Sequence, residues 1–425
     1  MKETIEQMNF TRSLEWLEQA SVIIPGGCST LAKSPDRLFP GYTALCCAEA
    51  KGSQFTDLDG HVWLDCEMAM GTVPWGHARA EVNDAIIQQL AKGISFSTAS
   101  DLELEAAKLL LKRFGGRYKS LKFAKGGADV VSAAVRAARA YSGKSKVIAT
   151  AYHGWHDWSS YGYYGQEAAA LGIPSNIRET TSWVNSGANA IMDLLASEAG
   201  DMACIVLCPN EWEKEELRKV VTDCNHRKVT VIFDEVTSGI RMGKQATAGE
   251  FDIWPDILCL SKGMANGLPL AVIMGGDPWM SLLADIKFSS AHASEAIAFA
   301  ALIACEELME QAPVWPSWRD NTASMMKQLK ELMVSLGLHD LELQGTYASF
   351  CIRQPSKSYF YQDPFREFLV KHLASDGIFS KGYFVFSDCH TIDDLERVQM
   401  SIESALRLWN EANVLLANDQ RRNGR

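Results

Sequence analysis

The sequence predicts an α/β protein: a three-layer α/β/α domain around a mostly parallel sheet, with a second, smaller α+β domain. Three observations carry that expectation. Short, continuous apolar runs at 229–233, 257–260 and 271–274 suit strands covered on both faces. Helical patterns alternate with such runs through the middle of the chain, as parallel strands with crossover helices require. The last third loses that alternation, and 425 residues are too many for one simple core.

In chain order, residues 1–65 read as an N-terminal segment that packs with the small domain. Within it, GSQFTDLDGHVWLD has the pattern of a hairpin with Asp59-Gly60 at its turn. The large domain is expected over 66–310. A short strand at 121–124 leads into a helix over 127–141, whose Val131, Ala134, Val135 and Ala138 share one face. Strands follow at 146–151 and 205–208, then a polar-faced helix at 213–225, then the three apolar runs. A long apolar helix at 294–309 and a more amphipathic one at 318–336 come next. The small domain, 311–425, is expected to hold strands at 341–352 and 377–386 and to close with a helix at 393–412.

Composition narrows the function classes. Apolar content of 47% and charged content of 22% are those of a soluble globular protein. A net charge of −11 argues against nucleic acid as a partner, and the basic run Arg421-Arg422-Asn423-Gly424-Arg425 reads as a solvated tail. The 11 cysteines are irregularly spaced, without a Cys-x-x-Cys pair, and several sit inside apolar runs. Buried, reduced thiols and a cytoplasmic location are expected. The start, MKETIEQMNF, lacks an apolar signal core, and no run approaches the ~18 apolar residues of a membrane span.

The chemistry is concentrated in VTVIFDEVTSGIR and LSKGMANGLP. An apolar strand ending in an acid, followed by a second ending in Ser261-Lys262-Gly263, suits a pyridoxal phosphate enzyme. Lys262 would form the Schiff base, and Asp234 would pair with the pyridinium nitrogen so that the ring can take up carbanion electrons. A lone lysine or acid at a strand end is more often solvated or a cap; the small neighbours of Lys262 favour the functional reading, since they let a flat ring lie against the backbone. Glu235 adjoins Asp234, but consecutive strand residues point to opposite faces, so only one can meet the ring, and Asp234 is chosen.

Gly126-Gly127-Ala128 opens the helix after strand 121–124, where free amides bind a phosphate. Alone this is a weak signal, because glycine-led helix starts are common. Tyr152-His153-Gly154-Trp155-His156-Asp157-Trp158 follows strand 146–151. Its two histidines and aspartate suggest a metal site, but the spacing matches no common zinc motif, and no metal is expected. Stacking of Tyr152 on a flat cofactor fits better. An aromatic loop packed at a subunit interface is the bland alternative for Trp155 and Trp158. Tyr161, Tyr163 and Tyr164 follow it, as substrate-facing hydroxyls or as interface packing.

Taken together, Gly26-Gly27, FTDLDGHVWL, Trp75-Gly76-His77-Ala78, FAKGGADVVSAAVRAARAYSG, YHGWHDW, FDEVTSGIR, PDILCLSKGMANGLP and FSSAHASEAIAFAA resemble the class III aminotransferases of pyridoxal phosphate fold type I. They are most similar to the branch around glutamate-1-semialdehyde aminomutase. The resemblance runs from about Pro25 to about Leu406, with the motifs in order. It implies pyridoxal 5′-phosphate held by Lys262 and Asp234, with Tyr152 and Val236 on opposite ring faces. The cofactor-binding set it implies is completed by His153, by Gly126, Gly127 and Ala128 at the phosphate, and by Ser290 and Ala291 reaching the neighbouring subunit's site in a homodimer.

The chain departs from that pattern at the phosphate. Lys125-Gly126-Gly127-Ala128-Asp129 lacks the family's hydroxyl donors, and Ala291 stands where the partner's threonine is expected; Ser289, Ser290 or Lys125 are the available substitutes. Cys208-Pro209 replaces a Glu-Pro pair, and Lys33 aligns with the aminomutase's carboxylate-binding arginine. The expected function is transfer of an amino group between a small amine donor and a carbonyl acceptor, with Lys262 as the general base and acid. The same residues would serve an aminomutase or an amino-acid racemase or epimerase. A catalytically silent interaction protein keeping the fold is the reading from a different class, favoured only by the altered phosphate contacts.

Overall fold

The chain turns at Asp59-Gly60 as a hairpin, because Gly60 takes a φ of 94° that suits only glycine. The computed structural model describes residues 8–163, 170–184, 187–198, 200–311, 315–355 and 362–423. Tyr164 and the Gly424-Arg425 end of the basic run lie outside the described residues. The chain divides into two units, Met1–Arg79 with Pro316–Arg425, and Ala80–Trp315.

In the first unit, β1 (Cys47–Lys51), β2 (Gln54–Asp57) and β3 (Val62–Asp65) form an antiparallel sheet. Asp57 closes the hairpin: its carboxylate accepts from His61 N, His61 Nδ1 and Trp63 Nε1, all at 2.9 Å. Phe10, Phe55 and Trp63 are buried together under it.

The second unit is built on a seven-stranded sheet. Its strands are β4 (Ser120–Ala124), β5 (Lys146–Ala149), β6 (Thr181–Trp183), β7 (Met202–Leu207), β8 (Thr230–Glu235), β9 (Ile257–Leu260) and β10 (Ala271–Gly275), in the order β4-β10-β9-β8-β7-β5-β6. Every neighbouring pair is parallel except those of β10, which is antiparallel to both β4 and β9. Reversing twice leaves β4 running with the rest. The carboxyl ends of six strands therefore lie along one edge, where α/β sheets present their ligand sites. β7, β8, β9 and β10 are buried at every position, which is why they read as unbroken apolar runs.

The helix Gly127–Ser142 packs on one face of this sheet. Val130, Val131, Ala134, Val135 and Ala138 interdigitate with Val147, Val206, Ile232 and Cys259. The helix starts where Asp129 Oδ2 accepts from Gly126 N at 3.0 Å, and it ends at Gly143, whose φ of 68° supplies a left-handed C-cap.

The remainder of the first unit contributes β11 (Glu342–Thr346), β12 (Ser349–Arg353), β13 (Ile378–Phe379) and β14 (Tyr383–Phe384). The two strands expected at 341–352 and 377–386 each divide. β11 and β12 make a hairpin, and β14 pairs with β12. β13 pairs in parallel with β3, so the N-terminal sheet is completed by a strand from the far end of the chain. The split between β13 and β14 is held by Lys381, whose Nζ lies 3.0 Å from Glu67 Oε2 and whose backbone N–H donates to Glu67 Oε1 at 2.9 Å.

Candidate active site

The site is assembled at the carboxyl edge of the seven-stranded sheet by simple alternation along the strands. Cys204 and Val206 on β7 and Ile232 on β8 face the helix Gly127–Ser142. Continuing each strand by one more alternation brings Cys208 and Asp234 past the end of the core on that same face. Both then stand beside the start of that helix, at the carboxyl edge of the sheet.

Asp234 is 6% exposed, and both of its oxygens are committed. Oδ2 accepts from His153 Nδ1 at 2.8 Å, and Oδ1 accepts from Val236 N at 3.1 Å. A carboxylate only accepts, so Nδ1 carries the proton, while the buried Nε2 of His153 has no hydrogen-bond partner. The imidazole is fixed from behind by Trp158, stacked at 6.1 Å and 9°. Cys208 Sγ lies 3.9 Å from His153 Nδ1. Burial, and then the charge of Asp234, push the Cys208 thiol well above its ordinary range, so it stays neutral. His153, Cys208 and Asp234 bring ligand atoms within 4.8 Å of one another, the one such group among the described residues. The His153–Asp234 hydrogen bond accounts for their convergence.

Glu235 points the other way. It is fully buried and accepts from Ser238 Oγ (3.0 Å), Thr247 N (2.8 Å) and Ala248 N (2.9 Å). Burial raises its carboxyl above the usual range despite those donors.

Lys262 follows β9 with a φ of 44°, a left-handed conformation uncommon outside glycine. Its neighbour Ser261 is anchored by an Oγ–H donated to Leu270 O at 2.8 Å. The ε-amino group donates to Thr237 Oγ1 at 2.7 Å. The spacing of this pair follows from the sheet: Glu235 and Leu260 are register partners in the parallel β8–β9 pair, and Thr237 and Lys262 each stand two residues beyond.

The phosphate-loop candidates lie at the same edge. A Cβ on Gly127 would stand 2.6 Å from Val236 Cγ1, and one on Gly154 would stand 2.6 Å from the Ala128 Cβ. Only glycine permits these approaches, so the helix start meets the loop after β8 on one side and the Tyr152 loop on the other. Tyr152 is 41% exposed there, and Trp155 is 72% exposed. The suspected metal residues separate: His153 goes to Asp234, while His156 Nδ1 lies 2.7 Å from Ser132 Oγ.

Lys125, a possible substitute phosphate ligand, is paired with Glu295 Oε2 at 2.7 Å, and Glu295 Oε1 accepts from Ala298 N at 3.2 Å at the start of the helix Ala296–Gln311. Ser289, Ser290 and Ala291 are exposed on this chain. Tyr161 donates to backbone carbonyls of Arg178 and Thr181, a packing role rather than a free hydroxyl. Arg241 is buried in the helix Gly239–Met242, where burial pulls its guanidinium down to about 9.

The sequence pattern of the family described as aminotransferase class-III matches residues 40–383. The chain belongs to that family. The 3-aminobutyryl-CoA aminotransferase of Cloacimonas acidaminovorans is 29% identical over 296 residues, covering 67% of this chain and 69% of the relative. The glutamate-1-semialdehyde 2,1-aminomutase of Archaeoglobus fulgidus is 27% identical over 433 residues, covering 94% and 100%. Among solved structures, the FumI protein of Sphingopyxis sp. MTA144, solved in a PLP form, superimposes with a TM-score of 0.82 at 21% identity, covering 94% and 96%. That likeness establishes the fold, fold type I, as the motifs implied. Membership of the family makes the chain an enzyme of the pyridoxal phosphate-dependent aminotransferase class.

The residues present fit pyridoxal 5′-phosphate. A fixed acceptor-only carboxylate, a primary amine, and a helix start whose Gly127 lets Val236 pack against it are the three features that fit the group. Thr237 and the His153–Asp234 bond went unread from sequence. The signal for Thr237 was available in the β8 and β9 runs, had they been aligned as neighbours.

Proposed function

We propose that the chain transfers an amino group from a small amine donor to a carbonyl acceptor, with Lys262 and Asp234 as its catalytic residues. The observation that carries this is the convergence of Asp234, held by His153, and the Lys262 amine at one sheet edge, in front of the helix that begins at Gly127. Pyridoxal phosphate, when bound, supplies the electron sink that makes a carbon–hydrogen bond beside an amine acidic.

The protein's part is positional. Lys262 Nζ is the amine that would hold the cofactor and, once displaced by the donor, the base that moves a proton at the substrate carbon. Asp234 would keep the ring nitrogen protonated; its two existing hydrogen bonds stop it from turning away. Val236 and Tyr152 would cover the two ring faces. Gly127 and Ala128 would meet the phosphate through backbone amides, with Gly126, whose amide is held by Asp129, leading into them, and Ser290 and Ala291 would approach the site of a second copy.

A homodimer fits the apolar side chains left exposed in the unit Ala80–Trp315: Ile87, Leu90, Ile94, Phe96 and Leu104. All 11 cysteines are free, which suits a reducing cytoplasm. Among the described residues no helix is long and apolar enough to cross a membrane.

An aminomutase is the second reading, supported by the full-length match to the Archaeoglobus fulgidus enzyme. Purified protein given candidate donors one at a time separates the two: a transferase releases a keto product, and a mutase returns an isomer of its single substrate. Lys262→Ala should abolish turnover by either route. Near-normal transamination by that variant would remove Lys262 from its role.

A further inference from the structure

We infer that Thr237 is a positioning residue for Lys262, its hydroxyl holding the ε-amino group whenever that amine is not engaged with cofactor. The inference rests on the reading of Lys262 as the cofactor-binding amine. Three observations support it. The Lys262 Nζ to Thr237 Oγ1 distance is 2.7 Å, a full hydrogen bond. The contact is set by the sheet, since the β8–β9 register brings the two residues level beyond the strand ends. And Lys262 sits in a left-handed conformation, φ 44°, a strained backbone persisting where the surroundings over-determine it.

The consequence follows from the freedom of a lysine. Its four-carbon stem has many rotamers, and an amine that must be displaced and return on each turnover loses time if it wanders into solvent. Thr237 lies three residues beyond Asp234 and next to Val236, which packs against the Gly127 position. A hydroxyl there keeps the amine on the cofactor side of the strand ends. It accepts from the ammonium and donates to the neutral amine, so it serves both protonation states.

Thr237→Val keeps the shape and removes the hydroxyl; Thr237→Ser keeps the hydroxyl. Thr237 is exposed, so neither variant should unfold the chain, and a melting curve checks this. In the cofactor-free protein, brief trace acylation with acetic anhydride, read residue by residue by mass spectrometry, should label Lys262 several-fold faster in the Val variant relative to exposed Lys51. The Ser variant should match the wild type. In the loaded enzyme, kcat should fall about tenfold in the Val variant with KM little changed, and recover in the Ser variant. Equal labelling and equal kcat in all three proteins would overturn the inference, as would a Ser variant that behaves like Val. Borohydride reduction followed by peptide mapping tests the underlying reading separately: a tag on Lys262 leaves that reading standing whatever Thr237 does, and a tag on another lysine removes both.

Discussion

Asp234 and Glu235 are adjacent, both carboxylates and both buried, yet the two faces of β8 give them opposite uses. Glu235 accepts from two backbone amides and a serine hydroxyl, all from the loop after β8 and the helix Ala246–Phe251. Its donors are fixed parts of the chain, so it acts as a clasp. Asp234 is held by one imidazole and one amide, from His153 and Val236. Burial alone does not distinguish a structural acid from a functional one. The distinguishing feature is where the partners come from: Glu235 meets only segments that follow β8, whereas Asp234 meets the imidazole of the Tyr152 loop at the edge that carries Lys262.

The largest effect should come from removing the clasp. Glu235→Ala leaves two buried amides and a hydroxyl without an acceptor, which costs about 3 kcal/mol of folding stability by urea titration. A loss below roughly 1 kcal/mol would mean that water or a shifted loop replaces the carboxylate.

Asp234→Asn should do the reverse. Shape and most packing survive, so the melting temperature should change little, while kcat falls on the order of 100-fold as the ring loses its charged partner. A variant that unfolds readily but stays active when folded would exchange the roles assigned to the two acids.

Gly127→Ala tests the same sheet edge from the helix start. The new Cβ would crowd Val236 Cγ1 at 2.6 Å, an overpacking of about 1–3 kcal/mol. Pyridoxal phosphate should dissociate about tenfold more readily on dialysis, and Val236→Ala in the same protein should restore part of the loss. Unchanged retention would place the phosphate elsewhere.

The smallest effect is a pH slope. The folded-state pKa of Glu235 is raised, chiefly by burial. Between its unfolded and folded values the native state binds more protons than the unfolded chain. Its contribution is therefore fully present below the ordinary carboxylate range and is lost as pH rises through the raised value. Urea titrations of wild type and Glu235→Gln across pH 4 to 7 should show the stability difference narrowing as pH rises. Parallel curves would assign any slope to other groups, such as Glu306, whose carboxyl burial also raises.

Much of this architecture was legible because it is local. Strands buried on both faces announce themselves as apolar runs, and the helix Gly127–Ser142 shows its buried face in its spacing. The segment 377–386 was less legible. Its two strands join different sheets, and the break at Lys381 depends on Glu67, far away in sequence. Lys125 is similar: beside the glycines it reads as a phosphate ligand, but its ammonium meets Glu295.

Residue type and local period are enough for the fold class, the family and the short set of residues able to do amine chemistry. How those residues are coupled follows from the packing of the whole sheet. Strand order and register bring Thr237 level with Lys262, and the closing of the Tyr152 loop brings His153 to Asp234. Those pairings cross long stretches of chain, and no local period encodes them, because register is settled by the burial of whole strand faces.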